Sequence, residues 1–538
     1  MKRAVIAVSA ILMHLAIWAN DISKETALKI AVEFLNTRNA EANQPCVISD
    51  DVFCAAENAF YVFNTEDERG FVIVAGVDRA PSILAYSLEG YLNFNDPANS
   101  VKSVFENYTT QIQLLRNNCK ALTPQKCEPI PMLIKSTWGQ NEPYNNRCDL
   151  FGQKSPTGCV ATAMAQVLYY HHDNSIDKIA VTIPGYTCRT KWTLENGEEL
   201  LKTETIPEGT VIDWAQMKGQ YTQDDCDSAA CDAVACLMRY CGIALETEYL
   251  QEESVASMAS TLVAMRKYFG YSEDAKMLKA SDLTPQEWQM SINKELTNGR
   301  PIIMSGKMCD KGHVFICDGI DEDGRLHINW GWNGQDNGYF MLMPFVQNEG
   351  DAPSSFYEKL NAVIGLHPAH NEEPFVETIR LTTVGISIGE IIQDKFVKAK
   401  QSLSYKRNSD KENTPFCYEV YQKNMTASTH DFESALGIFG KKGKLIQTVE
   451  YTEETFPSFN KTLTRINSYL TEFGESLKKG SYQLWPISRQ KGSTEWLLNE
   501  DLTDGNYIQA NVKKKEITFS IAKIMKKKGK KKSAANSL

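Results

Sequence analysis

Pro156-Thr157-Gly158-Cys159-Val160-Ala161-Thr162-Ala163-Met164-Ala165-Gln166-Val167-Leu168-Tyr169-Tyr170-His171 is the stretch on which the reading of this chain turns. A Pro-x-Gly turn delivers the backbone into an alanine-rich helix whose apolar side is Val160, Met164, Val167 and Leu168. Cys159 therefore sits at or just inside a helix N-terminus. There the macrodipole favours a thiolate, the nucleophilic form of the side chain. A small buried core residue is the commonest fate of a free cysteine, and this local sequence leaves the two readings level.

A nucleophilic thiolate needs a proton acceptor, and the chain has eight histidines. His14 lies in the apolar leader. His171 is twelve residues along the same helix, ~18 Å away at the helical rise, and His172 fails for the same reason. His367, His370 and His430 fall at or beyond the boundary of the cysteine's domain. His313 and His327 remain, flanking one expected hairpin: a buried strand over Gly312–Gly319, a turn over Asp321–Gly324 and a return strand over Arg325–Trp330. The acidic turn lacks the ligand ladder of a calcium loop and reads as a simple turn. His313, at the mouth of its strand, is placed to face a cleft, whereas His327 in mid-strand reads as a partly exposed sheet residue. The preference for His313 is modest on these grounds.

Trp138-Gly139-Gln140-Asn141-Glu142-Pro143-Tyr144-Asn145, Thr157-Gly158-Cys159-Val160-Ala161-Thr162-Ala163, Gly312-His313-Val314-Phe315 and Asn329-Trp330-Gly331-Trp332 together resemble the streptopain family of bacterial cysteine peptidases. The spacing from His313 to Trp330 is similar as well. The leader joins in: Gly70-Phe71-Val72-Ile73-Val74-Ala75-Gly76 followed by Ser82-Ile83-Leu84-Ala85-Tyr86-Ser87 resembles that family's inhibitory prodomain. The likeness runs from about residue 21 to residue 368, and four ordered motifs with a matching leader are far more specific than any one of them.

The resemblance implies a papain-like α+β fold, with a helical half carrying Cys159, a sheet half carrying His313 and a cleft between them. It implies Cys159 as nucleophile, His313 as general base and Gln140 as a side-chain donor to the oxyanion. Trp330 is implied beside the histidine, where papain uses an asparagine, with Asn329 secondary; Trp332 reads as core packing. Gly312, lacking a side chain, is implied to let substrate backbone approach closely. That chemistry requires no cofactor and no metal, and a reducing milieu protects the thiolate. The implied partners are protein or peptide substrates and the chain's own prodomain as intramolecular inhibitor.

The totals accommodate this. A chain of 538 residues predicts about three domains. A formal net charge of -10 argues against a nucleic-acid binder. Met1-Lys2-Arg3, an apolar run from Ala4 to Trp18 and then Ala19-Asn20-Asp21 read as a secretory signal peptide, too short to span a bilayer. A secreted, cell-surface or periplasmic bacterial protein with no stable membrane span is the expectation. Ser23 to Asn39 and Ala98 to Asn118 read as amphipathic helices around three strands, making a small α+β prodomain (21–130). This prodomain ends in the proline-rich Leu122–Pro131, expected to be extended, exposed and cut during processing.

The peptidase domain follows (131–368). Residues 369–522 then read as an all-β, sandwich-like domain with one possible helix over Thr462–Lys478, and 523–538 as a solvated lysine-rich tail. Most of the fourteen cysteines read as small core residues; Cys46 with Cys54, or Cys119 with Cys127, are pairs that could bridge. Two other functions compete: a different Cys/His acyl transfer, such as an amidase or transpeptidase, and a decayed peptidase fold that displays its β-domain as an adhesin or inhibitor. The joint presence of Cys159, His313, Gln140 and Trp330 argues against decay.

Overall fold

The computed structural model describes residues 19–38, 47–66, 69–93, 99–174, 182–222, 227–308, 311–347, 357–369, 379–393, 395–400, 402–407, 414–424, 430–440, 443–456, 465–473, 477–501 and 506–523. The signal-peptide reading of residues 1–18 and the lysine tail beyond Lys523 fall outside them. Helices and strands mix from Lys24 to Ile364, and the described elements beyond are strands. The chain divides into two compact units, Met1–Val181 with Val211–Arg239 and Tyr271–Glu372, and Thr182–Thr210 with Tyr240–Gly270 and Glu373–Leu538.

In the first unit, helix α1 (Lys24–Arg38) starts at Ser23, whose hydroxyl accepts the Thr26 N–H at 3.3 Å. Strands β1 (Ile48–Cys54), β2 (Phe60–Thr65), β3 (Phe71–Ala75) and β4 (Ile83–Ser87) form an antiparallel meander. Side chains of β2 and β3 alternate between the two faces. Tyr61, Phe63, Val72 and Val74 pack under Ala27, Ala31 and Leu35 of α1. Phe60, Val62, Phe71 and Ile73 face the opposite way, onto Val101, Val104, Tyr108 and Ile112 of helix α2 (Asn99–Arg116). Both faces are covered by helices, which is why these strands read as near-continuous apolar runs.

The meander does not end at β4. Strands β5 (Lys276–Lys279), β6 (Ile302–Met308), β7 (Lys311–Ile320), β8 (Leu326–Asn329), β9 (Gly338–Phe340) and β10 (Asn361–Ile364) continue it into one ten-stranded sheet, ordered β1-β2-β3-β4-β9-β8-β7-β6-β10-β5. The seam is β4 against β9, with Tyr86 opposite Tyr339 and Ala85 opposite Phe340. Tyr86 stacks on Tyr339 at 5.0 Å, and Phe34 of α1 meets the Tyr86 ring edge-on at 4.9 Å. The acidic turn after β7 proves to be more than a turn. Its Asp321 binds the buried Arg325 at 2.5 Å, Arg325 Nε donates to the Ile83 carbonyl at 3.0 Å, and Arg38 reaches Glu322 at 2.5 Å. Both guanidinium groups lie 5–6 Å from the Phe34 and Tyr86 rings, within cation–π range.

Arg38→Glu would place a carboxylate against Asp321 and Glu322 and remove one cation from the rings. Hydrogen exchange at the β4–β9 amides of the full chain is expected to accelerate roughly tenfold, a loss of about 1.4 kcal/mol in local opening energy. Unchanged protection would show that the strand pairing alone holds the seam.

Between α2 and the strands that follow it, the proline-rich segment is extended, and Thr123, Gln125, Lys126, Glu128, Pro129 and Pro131 are exposed. It is nonetheless pinned. Leu122 N–H donates to the Phe345 carbonyl at 2.9 Å, Ile130 and Ile320 exchange backbone hydrogen bonds at 2.7 and 2.9 Å, and Leu133 N–H reaches the Asp318 carbonyl at 2.9 Å. Helices α3 (Cys159–Asn174), α4 (Ser228–Ala244), α5 (Met258–Tyr268) and α6 (Pro285–Thr297) complete the described helical complement, and α3 packs on β7.

In the second unit, strands Leu381–Ile392, Lys395–Lys398, Thr414–Asn424 and Arg465–Phe473 make the main path of a five-stranded sheet. His430–Phe439, Leu445–Phe456, Gly480–Gln490, Asn506–Val512 and Glu516–Lys523 belong to a second, seven-stranded one. Ile386, Ile388, Phe416, Tyr418 and Val420 from the first share one core with Leu436, Ile438, Leu484, Ile508 and Phe519 from the second. The helix expected over Thr462–Lys478 is not formed at its centre. Arg465–Phe473 is a strand paired residue by residue from Arg465↔Gln422 to Phe473↔Thr414, because the neighbouring strand satisfies its backbone groups. The cysteine pairings also need correction: Cys54, Cys119 and Cys127 are free thiols, and Cys231 is disulfide-bonded.

Candidate active site

Cys159 is the first residue of α3 and is partly exposed. The turn before it depends on Gly158, whose φ of +87° is a left-handed conformation costly for other L-residues. The turn is stapled from within: Thr162 N–H and Oγ1 reach the Gly158 carbonyl at 3.1 and 3.0 Å, and the Thr157 and Thr162 hydroxyls bond at 2.8 Å. Thr157 N–H donates to the Gln140 carbonyl at 2.9 Å, so Gln140 is tied by its backbone two residues ahead of the thiol. Gln140 is buried, and its Nε2 has no hydrogen-bond acceptor among the described protein atoms. A buried amide N–H left open costs about 1–3 kcal/mol; such a group suits a site that waits for an acceptor.

His313 lies on β7 opposite Gly306. Its Nε2 is 2.9 Å from the Trp330 carbonyl oxygen. A carbonyl can only accept, so Nε2 carries the hydrogen and the neutral ring presents Nδ1 as its open lone pair. Burial holds the imidazole pKa down to about 4, against the smaller opposing pull of the Trp330 carbonyl. The Trp332 ring, expected in the core, lies flat on His313 at 5.2 Å with 8° between planes.

Trp330 itself is fully buried against Phe315 and Phe340, and its indole N–H donates to the Asp336 carbonyl at 3.0 Å. The next residue, Gly331, has φ +76°, a left-handed conformation that favours glycine, and a Cβ there would come into ordinary contact with the Thr162 side chain at 3.4 Å, one turn into α3. The Trp330–Gly331 segment is thus laid across the helix that starts with Cys159.

Other residues fall differently from expectation. Asn329 does not approach His313 with its side chain; its Nδ2 donates to the Ser136 carbonyl at 2.8 Å and to Gln166 Oε1 at 3.2 Å. His327 is buried, not half-exposed, and its Nδ1 pairs with fully buried Asp318 at 2.6 Å. His171 is also buried and bonds the Tyr271 hydroxyl at 2.7 Å. Gly312 is exposed, and a Cβ on it would meet nothing within 4 Å among the described residues, so none of those neighbours demands a glycine there. Sequence reading missed Gln166 and Ser136. Gln166 stood within the quoted helix, and a polar residue next to the apolar pair Val167 and Leu168 was the available signal.

A thiol at a helix start, an imidazole held in one tautomer and an unsatisfied buried amide whose backbone is tied two residues ahead of the thiol are the kinds of part from which a cysteine peptidase is built. Comparison with known proteins agrees. Residues 138–340 match the peptidase C10 family, and residues 19–112 match the Spi protease inhibitor family. The chain is similar to streptopain of Streptococcus pyogenes, 29% identical over 57% of this chain and 80% of that protein. It is also similar to the thiol protease/hemagglutinin PrtT of Porphyromonas gingivalis, 26% identical over 75% of this chain, and spans about half (49%) of that longer protein. A solved fragment of Prevotella intermedia prointerpain A is 30% identical, with 58% of this chain and 96% of the fragment covered and a TM-score of 0.47. The chain belongs to the peptidase C10 family of streptopain-like cysteine peptidases and carries an inhibitor-type prodomain ahead of the peptidase. Among the described residues, no helix is long and apolar enough to cross a membrane.

Proposed function

We propose that this chain is a secreted cysteine endopeptidase made as a self-inhibited precursor. Residues 1–20 are the signal peptide, 21–130 the inhibitory prodomain and linker, 131–368 a two-lobed papain-like peptidase, 369–522 a β-sandwich accessory domain and 523–538 a solvated tail. The observation that carries the reading is the His313 Nε2–Trp330 carbonyl bond, because it leaves Nδ1 as the proton acceptor.

The Cys159 thiol gives its proton to Nδ1, and Sγ attacks the peptide carbonyl carbon. The oxyanion accepts N–H from Gln140 Nε2 and from the Cys159 backbone. The C–N bond breaks as His313 returns the proton to the leaving amine. Water, deprotonated by His313, then hydrolyses the thioester and releases the new carboxyl end. Trp330 orients the base through its main chain, with Asn329 behind it. The open space at Gly312 receives substrate backbone. Protein and peptide substrates and the prodomain are its partners; the chemistry calls for no cofactor or metal. The β4–β9 seam supports the prodomain's role, since it holds the inhibitor in the same sheet as His313.

Casein hydrolysis by the linker-cleaved protein under reducing conditions tests this. Iodoacetamide is expected to abolish activity in step with labelling of the peptide that contains Cys159. Activity that survives full labelling of that peptide would discard the proposal.

A further inference from the structure

Gln166 sits two helical turns beyond Cys159 on α3 and is fully buried. Its side-chain carbonyl Oε1 collects three donors: Ser136 Oγ at 3.0 Å, the Trp138 backbone N–H at 3.1 Å and Asn329 Nδ2 at 3.2 Å. Asn329 closes the ring, donating to the Ser136 carbonyl at 2.8 Å and accepting the Gly331 N–H on Oδ1 at 3.1 Å. Three chain segments, remote in sequence, therefore meet at one oxygen. One is the helix that begins with Cys159. The second, Ser136–Trp138, leads two residues on to Gln140. The third, Asn329–Gly331, brackets Trp330, whose carbonyl holds His313.

We infer that Gln166 is a positioning residue that sets thiol, oxyanion donor and base in register through this single buried acceptor. The inference rests on the roles proposed above for Cys159, His313 and Gln140. None of the contacts Gln166 makes touches a reacting atom, so its effect must pass through the geometry of those three. Without the acceptor, a buried backbone N–H and a hydroxyl lose their shared partner, the Asn329 amide keeps only the Ser136 carbonyl, and the segments are free to shift relative to each other. A displacement near 1 Å costs about 100-fold in rate.

Gln166→Met removes the acceptor and keeps the shape; Gln166→Glu keeps a carbonyl acceptor in the same place, and as the neutral acid its O–H replaces the Nε2 donor that faces Asn329 Oδ1 at 3.5 Å. Both are made in the full chain, cleaved in trans at the linker by tagged wild-type enzyme that is then removed, and assayed per titrated thiol. Gln166→Met is expected to lose about 100-fold in kcat with KM within about threefold, and Gln166→Glu to recover most of that loss. Added to Gln166→Met, Gln140→Ala is expected to cost far less than its own 10²–10³-fold, since the loop is already displaced. If Gln166→Met proves unfolded, Asn329→Ser opens the same ring from the other side and should show the same kcat loss and the same non-additivity.

A lower Tm with unchanged kcat per thiol, or full additivity with Gln140→Ala, would overturn the inference and leave Gln166 a structural core residue. Failure of Gln140→Ala or of Cys159 alkylation to affect wild-type turnover would instead indict the proposed site itself, and the positioning role with it.

Discussion

Cys159→Ala is expected to abolish peptide hydrolysis, by about 10⁵-fold or more per folded molecule, and to leave the purified precursor uncut between Thr123 and Pro131. The magnitude follows from the chemistry: without Sγ no thioester forms, and a donor set such as Gln140 and the helix start can then only polarise a carbonyl for direct attack by water. The fold should be untouched. Cys159 is partly exposed, and its turn is held by the Thr157, Gly158 and Thr162 bonds, none of which uses the thiol. Loss of one sulfur there costs about 1 kcal/mol at most. Electrophoresis of the pure mutant precursor over days, beside wild type, reads the processing; casein release reads the activity. An uncut precursor that trace wild-type enzyme cleaves in trans fits self-processing, since the linker is presented extended and exposed. Normal trimming of the pure mutant would mean that another protease opens the linker, and residual casein hydrolysis would move the nucleophile away from Cys159.

What the sequence discloses depends on how local its cause is. Cys159 at a helix start is readable because the glycine turn and the apolar side of α3 lie within one short run. The alternating strands of the prodomain are readable for the same reason. Helix geometry and domain position narrow the histidines to His313 and His327, and the choice between them leans chiefly on the family motifs. The group that orients it is another matter: the Trp330 carbonyl is a main-chain atom that every residue has, so no pattern marks it.

Gln166 and His327 show the same limit for side chains. The acceptor role of Gln166 exists only once three distant segments converge. The pairing of His327 with Asp318 depends on the irregularity between Cys317 and Gly319 in the β7–β8 register, which decides what faces what. The β4–β9 seam and the Arg465–Phe473 strand are pairings between remote residues, and a strand's partner leaves no trace in its own sequence.

His313→Ala, compared with His327→Ala, separates the two histidines that the sequence left in contention. Removing a general base costs typically 10²–10⁴-fold, so kcat per titrated thiol should fall by about that factor in His313→Ala, and alkylation of Cys159 near pH 6 should slow with it. His327→Ala acts elsewhere. It removes the 2.6 Å hydrogen-bond partner of fully buried Asp318, which keeps the Ile134 N–H at 2.8 Å, a loss of about 1–3 kcal/mol of stability, yet leaves alkylation of the folded fraction unchanged. Equal slowing by both would reject His313 as the base.

A pH measurement on the full chain gives an independent reading. Burial lowers His313 to about 4 from an ordinary value near 6.5. As pH falls, the unfolded chain therefore takes up this proton first. The contribution to stability is complete above pH ~6.5 and drains away toward pH ~4, roughly 3 kcal/mol in all. His171, buried beside Tyr271 and also lowered to about 4, adds a second loss in the same window. Denaturant unfolding at pH 7 and pH 4.5 should show the His313→Ala precursor losing markedly less stability on acidification than wild type, because only the His171 share remains. An identical acid loss in both would mean that His313 is solvated in the full chain, and the buried neutral imidazole on which the proposed base rests would have to be given up.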